Sequence, residues 1–146
     1  MKIRKICIIL VAFLTSSACF ALEPYGRMSV GYNNTFNLGA GCFFSDNLSA
    51  GLEFDGWSDV CGLVCGVDGR YRFGQAEIRP VADVMIGYGL LGKTYEYEDY
   101  FNFAGRTMFG LNWKTLDLCA GFVYDSFYGL HAAVSLSFTF RVGKRA

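Results

Sequence analysis

Chemistry has few footholds in this chain. His131 is the single histidine, so any relay that needs an imidazole runs through that one ring. A nucleophilic relay also needs a hydroxyl or thiol and an orienting acid within hydrogen-bond reach. On an extended segment Ser135 shares a face with His131, but that stretch of strand separates them by about 13 Å. Ser137 lies farther still. His131 therefore reads as an interior hydrogen-bond partner and not as a catalyst.

Of the six cysteines, Cys7 and Cys19 fall in the first 21 residues and Cys42, Cys61, Cys65 and Cys119 in the remainder. Cys61 and Cys65 invite a metal or disulfide reading. On a strand their spacing is about 13 Å, beyond disulfide reach and too wide to converge on a metal. Cys42 and Cys61 fall on the second and fourth strand segments, which are not neighbours. The expectation is four free thiols and neither metal nor cofactor.

The remaining polar groups are charges, and they share a phase. Arg27, Glu53, Asp68, Arg70, Arg72, Arg79, Asp83, Arg106 and Asp117, with His131, all stand on one side of alternating segments; Asp55, Asp125 and Arg141 keep the same phase. Such a set can line a narrow pore, or it can plug one by pairing. In a small barrel paired charges fill the lumen, so a structural ion-pair network is the expectation.

The elements that position these charges follow from periodicity. Residues 115–141 read as one antiparallel hairpin: Leu130, Ala132, Val134, Leu136, Phe138 and Phe140 alternate with His131, Ala133, Ser135, Ser137, Thr139 and Arg141. A period of two is the signature of a strand, because successive side chains point to opposite faces. The same alternation runs through 25–33, 36–45, 48–55, 60–73, 78–90, 101–113 and 116–125, giving eight strands with 130–141. Asn33-Asn34-Thr35, Ser45-Asp46-Asn47 and Lys114-Thr115 supply turn chemistry between them. Asp68-Gly69 is also a hairpin dipeptide; splitting 60–73 there leaves fragments too short to span a membrane, so the segment is kept whole.

Zero formal net charge removes any electrostatic case for nucleic acid. Residues 1–21 read as a secretory signal: Lys2, Arg4 and Lys5, an apolar core from Ile6 to Leu14, then Cys19-Phe20-Ala21 with small residues at −3 and −1 for cleavage after Ala21. Lipidation at Cys19 is weighed against Ser16, which stands where a lipoprotein signal prefers Leu. Past the leader no run of eighteen apolar residues exists, so a spanning helix is not expected. Residues 22–146 form one domain.

Two barrels fit eight such strands, and they differ in which face is wet. A soluble lipocalin-like binder turns its apolar set inward. An outer-membrane barrel turns it to lipid. Glycine decides first: Gly31, Gly39, Gly41, Gly51, Gly62, Gly66, Gly87, Gly89, Gly110 and Gly121 crowd the polar phase, where a narrow interior needs small residues and open water does not. Arginine decides second. The polar phase carries Arg, suited to enclosed ion pairs, while Lys93, Lys114 and Lys144 fall in loops or the tail. Third, Tyr32, Phe36, Phe44, Trp57, Phe73, Tyr88, Phe101, Trp113, Tyr124, Phe138 and Phe140 gather at strand ends, as in interfacial girdles.

With Phe44-Ser45-Asp46-Asn47-Leu48-Ser49-Ala50-Gly51-Leu52-Glu53-Phe54, Arg79-Pro80-Val81 and the closing Ser135-Leu136-Ser137-Phe138-Thr139-Phe140, the chain resembles the small outer-membrane β-barrel proteins of the OmpA/OmpX-like kind. The resemblance implies an all-β, eight-stranded antiparallel up-and-down transmembrane β-barrel behind an N-terminal signal peptide. It implies a Gram-negative-type outer membrane, contact with outer-membrane lipid, and handling by periplasmic chaperones and the barrel-assembly machinery. Such barrels end on the aromatic of the last strand, whereas Arg141 to Ala146 follow Phe140 here. Barrel enzymes that deacylate lipid A carry His, any residue, Ser; Ala133 stands where that Ser belongs.

The expected role is non-enzymatic, structural or in surface contact. A narrow porin-like ion channel, a lipid-modifying barrel enzyme and a soluble periplasmic binder stand as alternatives. An even strand number returns both termini to the periplasm. The acidic, tyrosine-rich loop 91–100, with Glu96, Tyr97, Glu98 and Asp99, then faces outward as the candidate surface for an extracellular partner.

Overall fold

The computed structural model describes residues 23–33, 36–57, 62–91, 103–126 and 129–142. They form strands β1 (Glu23–Tyr32), β2 (Phe36–Phe43), β3 (Leu48–Trp57), β4 (Gly62–Arg72), β5 (Ile78–Leu91), β6 (Phe103–Trp113), β7 (Leu116–Asp125) and β8 (Gly129–Arg141). Each strand pairs antiparallel with the next, and β8 returns to β1 to close the barrel. Closure leaves no strand edge unpaired, which is what lets an all-β chain hold its backbone hydrogen bonds without water.

The boundaries move from the sequence expectation at strand ends. β3 runs on to Trp57, with Gly56 opposite Phe36 and Leu63. Asp68 and Gly69 lie mid-strand, paired with Gly51 and Ala50 on one side and Met85 and Val84 on the other. Neighbours on both sides override the local turn preference of that dipeptide.

The β2–β3, β4–β5 and β6–β7 turns share one end of the barrel, the short-turn end, with the start of β1 and the end of β8. In the β2–β3 turn the Ser45 hydroxyl accepts from the backbone N–H of Asn47 and Leu48. The β4–β5 turn uses Gly74 at φ +77°. The β6–β7 turn places Lys114 at φ +55°, a left-handed conformation that costs a side-chain-bearing residue about 1–2 kcal/mol. The Asn112 amide supports it by donating to the carbonyls of Lys114 and Leu116.

The two faces have opposite chemistry. Large apolar side chains stand exposed on the outside of every strand, among them Met28, Leu38, Phe54, Val67, Ile86, Phe109, Leu118 and Leu136. Inside lie Arg27, Glu53, Asp55, Asp68, Arg70, Arg72, Asp83, Arg106 and Asp117, all buried. An apolar group, Val64, Val81, Met85, Ala104, Met108, Cys119, Val123 and Ala133, packs beside the charges within the same interior. Exposed aromatics mark both ends: Phe44, Tyr71, Phe73, Trp113 and Phe138 toward the short turns, Tyr32, Phe36, Phe103 and Tyr124 toward the other. The side chains of Trp57 and Phe101 lie outside the description.

The narrow interior depends on glycine at close strand approaches. Gly110 faces Cys119 across β6 and β7. A Cβ on Gly110 would sit 2.7 Å from the Cys119 Cα and closer still to the Leu118 carbonyl oxygen.

Candidate functional site: the charged lumen

Inward phase on six strands brings the charges together. β1 contributes Arg27, β3 Glu53 and Asp55, β4 Asp68, Arg70 and Arg72, β5 Asp83, β6 Arg106 and β7 Asp117. Arg106 is shared by three carboxylates, 2.7 Å from Glu53, 2.7 Å from Asp55 and 2.9 Å from Asp83. Arg27 reaches Glu53 and Asp68, each at 2.8 Å, and Asp83 at 3.6 Å. Arg70 bridges Asp83 and Asp117, its Nε meeting Asp83 at 2.8 Å. Arg72 lies 3.6 Å from Asp117. The planar fork of Arg lets one cation serve two or three carboxylates, which a point-charge ammonium does less well.

Two of the residues singled out from the sequence stand apart from this cluster. Arg79 is inward and half-buried, but its partners are neutral: Nε donates to Asn112 at 3.0 Å and Nη1 to Asn47 at 3.2 Å. His131 is half-buried on β8 opposite Val123, toward the end away from the short turns. Among the described residues no ion pair ties Arg79 to the cluster. Glu96, Tyr97, Glu98 and Asp99 lie outside the described residues.

Three contributors were not singled out from the sequence. Asp55 completes the Arg106 shell; its inward phase was the available signal. The Tyr25 hydroxyl approaches Asp68 at 3.5 Å. Asn112 donates to Asp117 at 2.6 Å and accepts from Arg79. A tyrosine or asparagine on the inward phase carries no pattern of its own, so only the three-dimensional convergence reveals these roles.

The cysteine expectation needs a correction. Cys65 and Cys119 are free, but Cys42 is disulfide-bonded. Strand spacing sets Cys42 apart from Cys61, but Cys42 is the penultimate residue of β2, and the spacing of strands does not limit what a thiol at a strand end meets. Cys61 lies outside the described residues. Among the described residues no group of three or more His, Cys, Asp or Glu is placed to hold a metal ion.

No family model matches the sequence, and no curated protein does. Solved structures do match. A structure described as de novo design of transmembrane beta-barrels is 14% identical, with a TM-score of 0.52 over 82% of this chain and 95% of its own. The N-terminal beta-barrel domain of Pseudomonas aeruginosa OprF is 16% identical, with a TM-score of 0.47 over 82% of this chain and 96% of its own. At so low an identity the designed barrel speaks for the fold alone: a closed, all-β antiparallel barrel.

Proposed function

We propose that this chain is a non-enzymatic barrel of the outer membrane, with its lumen plugged by the Arg/acid network and a structural or surface-contact role. One observation carries the reading: the fold is inside out for water. Charges are buried and large apolar side chains are exposed on every strand. Soluble monomers rarely expose contiguous apolar patches beyond a few hundred Å², and a lipocalin-like binder needs the opposite phase. Ten residues tilted by about 45° rise about 25 Å, the height of an outer-membrane apolar band.

The leader 1–21 is removed in this reading, and the mature domain 22–146 is delivered by periplasmic chaperones to the barrel-assembly machinery. Both termini stay periplasmic, and loop 91–100 is the extracellular surface for a partner. A lipid-modifying enzyme needs a polar cluster at the lipid face. Among the described residues within the apolar band, that face offers Thr107 and no acid, histidine or arginine. A channel needs an open lumen, whereas the ion pairs here cross it.

Cell fractionation tests the reading. The mature chain, starting at Leu22, should sediment with outer membranes, resist salt extraction and need detergent for release. Recovery as a monomer in plain buffer would overturn it. Steady conductance in planar bilayers would replace the plugged barrel with the channel.

A further inference from the structure

The lumen's charge is not evenly spread. At the short-turn end stand Arg72, Arg79 and Arg141, on β4, β5 and β8. Their carboxylate supply is thin. The nearest acid to Arg72, Asp117, is 3.6 Å away, and Asp117 is already engaged by Arg70 and Asn112. Arg72 is 3% exposed, and its Nη1 is buried with no hydrogen-bond partner among the described residues. Arg79 spends Nε and Nη1 on neutral amides and has no carboxylate among the described residues. Arg141 uses Nη1 for Glu23 at 2.7 Å and Asp46 at 3.4 Å, acids that are 42% and 80% exposed, so solvent screens both pairs.

Phe43 draws two of these cations together. The guanidinium carbon of Arg72 lies 5.1 Å, and that of Arg141 4.1 Å, from the centre of its ring. Arg79 is held near Arg72 by the barrel itself: Arg72 faces Val81, two residues along β5 from Arg79. Like charges gather here although the lumen's acids are committed deeper in, and a buried guanidinium nitrogen without an acceptor is costly.

We propose that the short-turn end of the lumen is an oxyanion site in which Arg72, Arg79 and Arg141 receive a phosphate group. Three guanidinium forks offer more donors than the two oxygens of a carboxylate accept, whereas a phosphate presents three or four oxygens to them. The open side is formed by the half-buried Arg79 and Arg141, with Arg72 behind. The phosphate is either free in solution or the headgroup of an anionic lipid. The site depends on the fold and not on which side of a membrane this end faces.

The test uses the full mature chain folded in octyl glucoside, a detergent without phosphate. Calorimetric titration with inorganic phosphate against sodium chloride of equal ionic strength, and separately with phosphatidylglycerol in mixed micelles, distinguishes the two sources. Saturable binding in either arm is expected. Arg79→Gln with Arg141→Gln should weaken it about tenfold or more, since charge-assisted contacts are lost. These arginines lie outside the central cluster, so the barrel should still fold, as its gel mobility will report. Lys114→Gln, at the same end but 66% exposed and paired with Glu77, should leave binding unchanged. Absence of saturable binding in both arms overturns the proposal, as does equal weakening by Lys114→Gln.

Discussion

Arg106 and Glu53 meet at 2.7 Å although their strands, β6 and β3, are not neighbours in the barrel. The pair therefore spans the lumen, and it binds the wall to itself by a route that no backbone ladder provides. Arg27 to Asp68 at 2.8 Å, from β1 to β4, does the same. Together they turn a hollow cylinder into a filled one.

Removing the shared cation tests this cross-bracing. Arg106→Ala leaves Glu53, Asp55 and Asp83 buried, with Arg27 and Arg70 as the remaining central cations. Breaking a buried ion pair from one side costs about 3–5 kcal/mol. The urea midpoint of the detergent-folded barrel should fall accordingly, and pairing the change with Glu53→Gln should recover part of the loss. Bilayer conductance should stay at baseline. A sharp rise in conductance with unchanged stability sinks the plug.

The outer face makes a separate, depth-dependent prediction. Phe109 is 62% exposed near the middle of β6, opposite Ala82 and Ala120. Trp113 closes the same strand at the short-turn end. In lipid vesicles Phe109→Arg should cost about 2–4 kcal/mol and Trp113→Arg about 0–1 kcal/mol beyond the lost ring, because the charge penalty falls toward the interface. Equal penalties at both depths, or none, speak against a lipid-facing belt.

Glycine at the tight approaches should be irreplaceable, and glycine elsewhere should not. Gly110→Ala drives a Cβ into the β7 backbone at Cys119, an overpacking that costs about 1–3 kcal/mol or more. Gly69 has open space around the same position. Gly69→Ala should be neutral or stabilising by about 0.5–1 kcal/mol, since it lowers unfolded-chain entropy. Refolding yield and urea midpoint for the two variants decide the matter; similar losses at both would refute the crowding argument.

Strand count, phase and pairing order were legible because they rest on period two and on short turns, both local. The alternation of 130–141 assigns Ser135, Ser137 and Thr139 to one side, and β8 buries all three. Which charges pair was not legible. Arg79 and Arg106 carry the same sequence signal, yet only Arg106 sits deep enough to meet carboxylates, and Arg79 ends on two amides. That difference depends on height along the barrel, set by register across several strands. The thiol expectation failed at Cys42 because it was drawn from strand spacing, which does not limit a thiol at the end of a strand.

Asn112 offers a last test, because one buried amide joins the turn to the lumen. It is 1% exposed. Its nitrogen donates to Lys114, Leu116 and Asp117, and its oxygen accepts from Arg79. Asn112→Leu keeps the branching of the side chain but strips the turn carbonyls and a carboxylate of a donor, at about 1–3 kcal/mol for buried groups left unsatisfied. Asn112→Asp keeps the acceptor for Arg79 while placing a second carboxyl beside Asp117, where two neighbouring negative charges oppose each other. Asn112→Asp should therefore lower the urea midpoint of the detergent-folded barrel, and pairing it with Asp117→Asn should recover part of that loss, whereas Asp117→Asn should recover nothing of the Asn112→Leu loss at the turn carbonyls. An Asn112→Asp loss that Asp117→Asn leaves unchanged would show that the amide serves the turn alone and not the charged lumen.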